Sequence, residues 1–520
     1  MTEYLDILMI VALCGGLLLG YPVAFTLIGL SMGFALLGWG LGQFDGSLLG
    51  ATGQRLFGIF TNTVLIAIPM FVFMGIVLEK SGIAEDLLTQ LGRLFGRLRG
   101  GLGVSVIVVG ALLAASTGIV GATVVAMGLI ALPTMLRNDY DPKLACGIVC
   151  TAGTLGQIIP PSTLLIILSD VMSNAFQQAQ FTAGKFTVET ISVGQTFAAA
   201  LLPGMVMVVL YIVYTFGRAW LSPLSAPMVA EVDGERPDLS ALFVTLGTPL
   251  ILITAVLGSI LGGIATPTEA ASVGAVGALL LAAFRVSQAR RERGMLFAGI
   301  AALALLAVLA GIAPVRLQRT DLSPGDISVG LVGAALTLVA LISIGLAVRC
   351  AMRSDIMRPV VTSTMSISAM IFTTIIAASV FSLVFRGLGG DEHVHAILEA
   401  LPGGPTEVLI FVMLLIFVLG FFLDFVEISI IVLPLVVPNL ILMGHDPVWL
   451  TVLIAINLQT SFLTPPFGFS LFYLRGVAPK EISTGQIYAG VLPFIVLQFI
   501  AVLVIWNLPA LATYLPDSLF

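Results

Sequence analysis

The chain has 520 residues, of which 58% are hydrophobic and 10% are charged, and its mean hydropathy is +1.12. Such a chain has too little polar surface to cover its apolar mass in water, which excludes a soluble protein. The net charge of -6 excludes the basic surface that nucleic-acid binding requires. About 20 apolar residues make one spanning helix. We therefore predict an all-α polytopic protein of the lipid bilayer.

The first 20 residues are predicted to form the first membrane span. They lack the positively charged start and the small-residue cleavage site of a secretory signal, and they carry Glu3 and Asp6 instead. We therefore expect this segment to remain part of the folded protein.

A first apolar segment broken at its centre lies at about 101–136. Its centre, Ser116-Thr117-Gly118, is too polar and glycine-rich for a continuous membrane helix, which predicts a re-entrant hairpin. The next apolar segment, at about 144–168, contains Pro160-Pro161, and paired prolines cannot continue a helix. Because the freed carbonyl groups must face protein or a water-filled cavity, this break indicates a cavity within the membrane. A long outer loop is predicted to follow at 171–193.

The same proline and aspartate positions occur twice in the chain, 305 residues apart. They are Pro133, Asp141-Pro142 and Pro160-Pro161 in the first half and Pro438, Asp446-Pro447 and Pro465-Pro466 in the second. This agreement predicts an internal repeat. We assign 1–217 to the first copy, 218–240 to a cytoplasmic linker and 241–520 to the second copy. Two apolar runs within about 296–348 have no counterpart and are predicted to be an inserted pair of spans.

The second copy contains the same pair of broken segments. A hairpin is predicted at about 408–440, with its turn near Gly420 to Asp424, and a broken helix at about 448–474. Each copy then crosses the membrane an odd number of times, so the two copies have opposite orientations. An N-terminus on the periplasmic side satisfies the positive-inside rule. Only five of the 22 lysines and arginines then lie outside: Arg55, Lys185, Arg316, Arg319 and Arg386.

Inverted repeats with helices broken near the membrane centre are typical of secondary transporters. The strings STGIVGATVVAMGLIALP, GTLGQIIPPSTLLII, TPTEAA and TPPFGFSLF together resemble the large membrane subunit of tripartite ATP-independent periplasmic (TRAP) transporters. The resemblance spans nearly the whole chain except 171–189 and the inserted spans. It implies an elevator-type, Na⁺-coupled symporter that imports small organic acids such as dicarboxylates across the bacterial inner membrane. It also implies a separate small four-span membrane subunit and a periplasmic substrate-binding protein as partners.

Oxygen atoms at the helix breaks are the predicted ligands of the coupling ion, and those of the first site are neutral carbonyl and hydroxyl oxygens. The first predicted Na⁺ site comprises Ser116, Gly118, Gly121, Gly153, Thr154 and Gly156. The second comprises Gly420, Asp424, Asn457, Thr460 and Thr464. The alternative for the small residues is close helix packing, and the alternative for Asp424 and its neighbour Glu427 is simple solvation near the outer surface.

The predicted contacts to the solute lie at the same breaks. They are Arg137, Ser116, Thr117, Pro160, Pro161 and Thr464. An arginine can hold a carboxylate with two parallel hydrogen bonds, although Arg137 also fits the role of an ordinary loop arginine. Glu269 in Thr266-Pro267-Thr268-Glu269 is interpreted as part of a helix capping box.

Two other classes of function compete with this prediction. One is a stand-alone Na⁺ or H⁺ symporter for carboxylates or other anions, which would work without a binding protein. The other is an intramembrane enzyme, which the absence of a catalytic motif disfavours. We therefore predict a transporter, with no organic cofactor, and the sequence does not name its solute.

Overall fold

The computed structural model describes residues 4–118, 120–228, 239–312 and 324–520. In these residues the secondary structure is helical, without strands. The helices of the first copy are α1 Leu5–Leu18, α2 Val23–Gly40, α3 Thr52–Thr61, α4 Thr63–Lys80, α5 Ile83–Phe95, α6 Gly101–Thr117, α7 Val120–Arg137, α8 Pro142–Thr154, α9 Thr163–Thr182 and α10 Val193–Leu221.

The second copy contains the remaining helices and the inserted pair. They are α11 Leu239–Leu261, α12 Pro267–Val286, α13 Arg290–Ile312, α14 Pro324–Arg353, α15 Met357–Gly387, α16 Gly390–Ala400, α17 Pro405–Leu419, α18 Phe425–Glu427, α19 Leu433–Leu442, α20 Pro447–Leu463, α21 Phe469–Val477, α22 Thr484–Asn507 and α23 Ala510–Leu519. A π-helical segment, Ile428–Val432, joins α18 to α19. Helices α13 and α14 occupy the region assigned to the inserted spans, and residues 313–323 between them lie outside the described part.

Ten helices of the described chain are long and apolar enough to cross a membrane. They include the long helices α2, α4, α10, α15 and α22, and also α7 and the run from Phe425 to Leu442. Helices α8, α20 and α21 are shorter because the proline-containing breaks end or precede them. The protein is therefore a multi-pass membrane protein.

The predicted outer loop at 171–193 was wrong over its first half, because α9 continues to Thr182. Apolar residues recur at helical spacing over this part of the chain. Val171, Met172, Ala175 and Ala179 are all buried on one face of the helix. The loop is correspondingly shorter, and Ser192 then caps α10. Residues 229–238, which form part of the predicted linker, lie outside the described part.

Corresponding helices of the two copies begin with the same caps. Asp141 and Asp446 each accept a backbone hydrogen bond at the start of α8 and α20. Ser192 and Ser483 each form a capping box with the glutamine three residues later, at the start of α10 and α22. The repeat seen in the sequence thus extends to local structure.

The two copies pack reciprocally around the broken helices. Helix α8 of the first copy packs against α22 of the second, and α20 of the second copy packs against α10 of the first. Residues Leu144–Thr154 of α8 and Trp449–Leu463 of α20 are all buried, so these helices form the centre of the protein. This arrangement places the first proline break in the protein interior and the second at the edge of the interior.

Candidate ion and solute site at the helix breaks

The tip of the first hairpin rests on the start of α9. Helix α6 ends at Thr117, and Gly118 has a φ of +60°, a conformation that glycine adopts without steric cost. A Cβ atom on Gly118 would lie 2.8 Å from the backbone nitrogen of Thr163 and 2.9 Å from its Oγ1. The side chains of Ser116 and Thr117 lie outside the described part.

The first broken helix changes direction over residues 158–162. Helix α8 ends at Thr154 and passes into a short 3-10 helix, Leu155–Gln157. After the prolines, the hydroxyl group of Ser162 donates to the carbonyl oxygen of Gln157 at 2.7 Å. Ser162 also caps α9. Pro160 and Pro161 are themselves buried, and they shape this break.

Several buried polar atoms at this break lack a hydrogen-bond partner among the described residues. They are Oε1 and Nε2 of Gln157, Oγ1 of Thr163 and Oε1 of Gln459. Both Gln157 and Thr163 are fully buried. An unpaired buried polar group carries a large desolvation cost, so these groups are candidates for binding water or an ion. Their oxygens fit Na⁺ because they are neutral and require no additional charge in the membrane.

The other residues of the first predicted site divide into packing and polar roles. A Cβ atom on Gly121 would lie 2.8 Å from the ring of Tyr473, and one on Gly153 would overlap Val124. Both glycines therefore permit close packing, which was the alternative interpretation. Gly156 lies buried in the 3-10 helix, and Thr154 donates a hydrogen bond to the carbonyl oxygen of Thr151 at 2.8 Å.

The tip of the second hairpin contacts α20 in a comparable way. Helix α17 ends at Leu419, and a Cβ atom on Gly420 would overlap the side chain of Ser461. Asp424 caps α18 by accepting from the backbone nitrogen of Phe425 at 2.8 Å. Glu427 accepts from the backbone nitrogen of Asp424 at 2.5 Å, which completes a capping box. These two acids thus have a structural role that neither sequence interpretation included.

The remaining residues of the second predicted site follow α20 to its end. Asn457 donates from Nδ2 to the carbonyl oxygen of Met413 on α17 at 2.7 Å. The hydroxyl groups of Thr460 and Thr464 donate to carbonyl oxygens within the helix. Each of these hydroxyl oxygens can still accept or coordinate. Thr464 is half-buried and Phe467 is exposed, so this break is more open than the first.

A buried hydrogen bond joins the two copies between their broken helices. Nε2 of Gln459 donates to Oγ1 of Thr154 at 3.2 Å. The two residues are 305 positions apart and are therefore equivalent in the repeat. A contact between equivalent residues lies at a two-fold axis. This contact is the one that a two-fold relation between the two predicted copies would produce, and it brings their broken helices together.

Arg137 lies away from this region. It is the last residue of α7, its side chain is exposed, and its Nε donates to the carbonyl oxygen of Pro133 in the same helix at 3.3 Å. At 1.5 Å per residue, the helix separates it from the hairpin tip by about 26 Å. The structure therefore does not bring Arg137 to the breaks, and its geometry is that of a loop arginine.

Sequence reasoning missed the residues whose polar atoms are unpaired. Gln157 and Thr163 flank the double proline, and Gln459 precedes its copy by six positions. The available signal was the presence of polar side chains within otherwise apolar strings beside a break. The prediction considered the glycines and threonines before the prolines and overlooked these neighbours.

Comparisons with known proteins identify the family of this chain. A family model described as "Tripartite ATP-independent periplasmic transporter, DctM component" matches residues 9–511. The C4-dicarboxylate TRAP transporter large permease protein of Vibrio cholerae is 28% identical over 516 residues, covering 98% of this chain and 97% of the relative. The ectoine TRAP transporter large permease protein of Halomonas elongata is 26% identical, covering 99% of both chains.

A solved transporter structure is similar in fold. The Alcanivorax borkumensis YdaH transporter matches with a TM-score of 0.54 and 17% identity, covering 91% of this chain and 90% of the other. The family consists of transporter permeases, so the chain is not an enzyme. Since the family model covers nearly its full length, the chain belongs to the DctM component family of tripartite ATP-independent periplasmic transporters.

Proposed function

We propose that this chain is the solute-translocating subunit of a Na⁺-coupled importer of small organic acids in the bacterial inner membrane. The observation that carries the proposal is the contact between the Gly118 turn and Thr163, beside the unpaired oxygens of Thr163 and Gln157. Neutral oxygens at broken helices are the usual ligands of a coupling Na⁺ in secondary transporters. The family supports two partners, a small membrane subunit and a periplasmic binding protein that delivers the solute.

The solute class follows from the relatives and from charge. The two relatives are named for C4-dicarboxylates and for ectoine, and both kinds of molecule carry a carboxylate group. A Na⁺ ion held by neutral oxygens adds positive charge beside the breaks. That charge favours a carboxylate nearby, so ion binding and solute binding assist each other. The predicted solute contacts Thr464, Pro160 and Pro161 lie at the same two breaks.

The proposed transport mechanism is the elevator motion of one domain against a scaffold. Helices α6 and α7 pack on α8, and α19 of the second hairpin packs on α9, so both hairpins are attached to the broken helices. Helices α1, α2 and α15 pack together in a small hydrophobic core, which also contacts Ile431 of the second hairpin. We assign the hairpins and broken helices to the moving domain and α1, α2 and α15 to the scaffold. The two copies have opposite orientations in this proposal.

Uptake into proteoliposomes tests the proposed function. The chain is reconstituted with its small subunit, and the binding protein is added outside with radiolabelled succinate or ectoine. We expect uptake to require both an inward Na⁺ gradient and the binding protein. Equal uptake without the binding protein would instead support a stand-alone symporter, and uptake driven by a proton gradient alone would contradict Na⁺ coupling.

Removing the hydroxyl group of Thr163 is expected to weaken Na⁺ binding. In a Thr163→Val variant the side chain keeps its shape but loses one proposed ligand oxygen. We expect the Na⁺ concentration for half-maximal uptake to rise about tenfold, which corresponds to about 1.4 kcal/mol. Uptake at saturating Na⁺ should change much less.

Thr151→Val is the matched control for that variant. Thr151 is also buried in the first copy, but its hydroxyl group donates to the carbonyl oxygen of Gly147 in its own helix at 2.7 Å. We expect its Na⁺ dependence to match the unmodified protein. A Thr163→Val variant with the same half-saturating Na⁺ concentration would remove Thr163 from the ion site.

A further inference from the structure

A cavity lined by both polar and apolar residues lies beside the helix breaks. Its volume is about 370 Å³, and it is enclosed by α3, α4, α9, α15 and the second arm of the second hairpin. The residues of α9 that line it begin at Ile167, one turn beyond Thr163, and extend to Gln178. Both copies of the repeat contribute to its wall. The cavity is within the size range of small-molecule sites.

Two arginines line this cavity, and most of their donor groups are unused. Arg55 forms one long hydrogen bond, from Nη1 to the carbonyl oxygen of Ser379 at 3.4 Å. Nε of Arg386 lies 3.3 Å from Oδ2 of Asp391, so the two side chains form an ion pair, but the angle between them is unsuitable for a hydrogen bond. A guanidinium group has five N–H donors. Among the described residues, these two arginines therefore retain a large unfilled capacity to bind an anion.

The charged groups at and beside the cavity are Arg55, Arg386, Asp170 and Asp391, and the two arginines are close enough to repel each other. Burial and the positive charge of Arg386 both lower the pKa of Arg55, so each arginine opposes the charge of the other. Burial raises the pKa of Asp391, and the two arginines counteract that effect. The carboxylate of Asp170, also in the cavity wall, accepts a hydrogen bond from Nδ2 of Asn62 at 2.9 Å. The partner of that carboxylate is an uncharged amide, whereas Asp391 is a counter-charge for both arginines but accepts no hydrogen bond from Nε of Arg386.

We propose that this cavity is a receiving site for the organic acid, in which Arg55 and Arg386 together bind one carboxylate group of the solute before it reaches the helix breaks. The part of the proposal that concerns solute entry rests on the proposed function. The amide of Asn174 and the hydroxyl of Ser382 also line the cavity and can hydrogen-bond the rest of the molecule. Arg55 and Arg386 are two of the few cations that the topology prediction places outside, where the solute would arrive.

A cysteine reporter in the cavity tests this assignment directly. Ser382→Cys is introduced together with Cys14→Ser, because Cys14 is exposed and the other three native cysteines are buried. The purified chain with its small subunit is labelled with N-ethylmaleimide in the presence of succinate, lactate or glutarate. We expect at least one of these carboxylates to slow labelling severalfold. Dimethyl succinate, which has the same skeleton without charge, should not slow it.

Arginine variants then identify the binding groups. Arg55→Gln and Arg386→Gln should each raise the half-protecting concentration about tenfold or more, since a charge-assisted hydrogen-bond pair is lost. Arg55→Lys and Arg386→Lys retain the charge without the planar fork and should give intermediate values. Lys185→Gln removes an exposed cation outside the cavity and should change nothing. Size-exclusion profiles verify that each variant is folded.

Three outcomes would overturn the assignment. They are the absence of protection by any of the three carboxylates, protection that is unchanged in both glutamine variants, and equal protection by dimethyl succinate. The result is independent of Na⁺ coupling, because labelling is measured without transport. Protection by a carboxylate combined with Na⁺-independent uptake would uphold the cavity and reject the proposed coupling. Na⁺-dependent uptake without protection would do the reverse.

Discussion

A Gly118→Ala variant is expected to lose about 90 to 99% of its uptake rate while still folding. Alanine at a φ of +60° is strained, and its Cβ atom would lie 2.8 Å from the backbone nitrogen of Thr163, closer than normal contact. Together these effects cost about 1–3 kcal/mol unless the hairpin tip moves away from α9. Such a movement separates the turn from the proposed ion ligands. Initial uptake rates in proteoliposomes, normalised to the amount of reconstituted protein, measure the effect.

Gly217→Ala provides the control for this substitution. Gly217 lies in α10, and a Cβ atom there would have no atom within 4 Å. We expect its uptake to equal that of the unmodified protein. If Gly118→Ala also transported normally, the contact between the hairpin tip and α9 would not be needed for transport.

A Gly490→Ala variant is expected to lose about 3 kcal/mol of stability, since α8 and α22 cross almost backbone to backbone. A Cβ atom on Gly490 would overlap the carbonyl oxygen of Lys143, and one on Gly147 would overlap that of Gly490. Backbone atoms cannot turn aside as a flexible side chain can, so the helices must separate. Overpacking of this kind typically costs about 1–3 kcal/mol. Here it would push apart two helices at the centre of the protein.

The thermal unfolding midpoint in detergent measures this loss. We expect a marked decrease for Gly490→Ala and for Gly147→Ala. The control is Gly476→Ala in α21, where a Cβ atom would have no neighbour within 4 Å. An unchanged midpoint for Gly490→Ala would show that the crossing can widen without cost.

The positions of the helix breaks could be predicted because they depend on local backbone chemistry. The Pro160-Pro161 pair interrupts a helix whatever surrounds it, and Gly118 lies in a polar, glycine-rich stretch that favours a turn. Gly420 was found by the same reasoning. The contacts between breaks could not be predicted, because they join segments that are distant in sequence. The unpaired atoms of Gln157 and Thr163 become visible only when the hairpin tip has been placed against them.

The structure bears differently on three interpretations of polar residues. Thr266 and Glu269 were correctly interpreted as a capping box, and the structure contains it. Asp424 and Glu427 have the same spacing and also form a capping box. Their position in the hairpin had suggested ion binding instead. Arg137 was considered because it is close to the hairpin in sequence. A continuous helix nevertheless converts that closeness into a distance of about 26 Å.

The cavity of Arg55 and Arg386 left little trace in the sequence. The two arginines are far apart in the chain, and neither belongs to a motif. Their common feature is that the predicted topology places both outside, against the positive-inside rule. A cation that departs from a topology rule is thus worth examining for a binding role, since the membrane field alone does not explain its position.

The hydrogen bond between Thr154 and Gln459 has a consequence for the ancestry of the protein. In a symmetric dimer of identical halves, a residue at the axis faces its own copy. Two threonines or two glutamines would then meet there. Joining both halves in one polypeptide allowed the two positions to diverge into a donor amide and an acceptor hydroxyl. A pair of identical halves cut from this chain would place threonine against threonine or glutamine against glutamine, so neither pair could form this bond from an amide to a hydroxyl group.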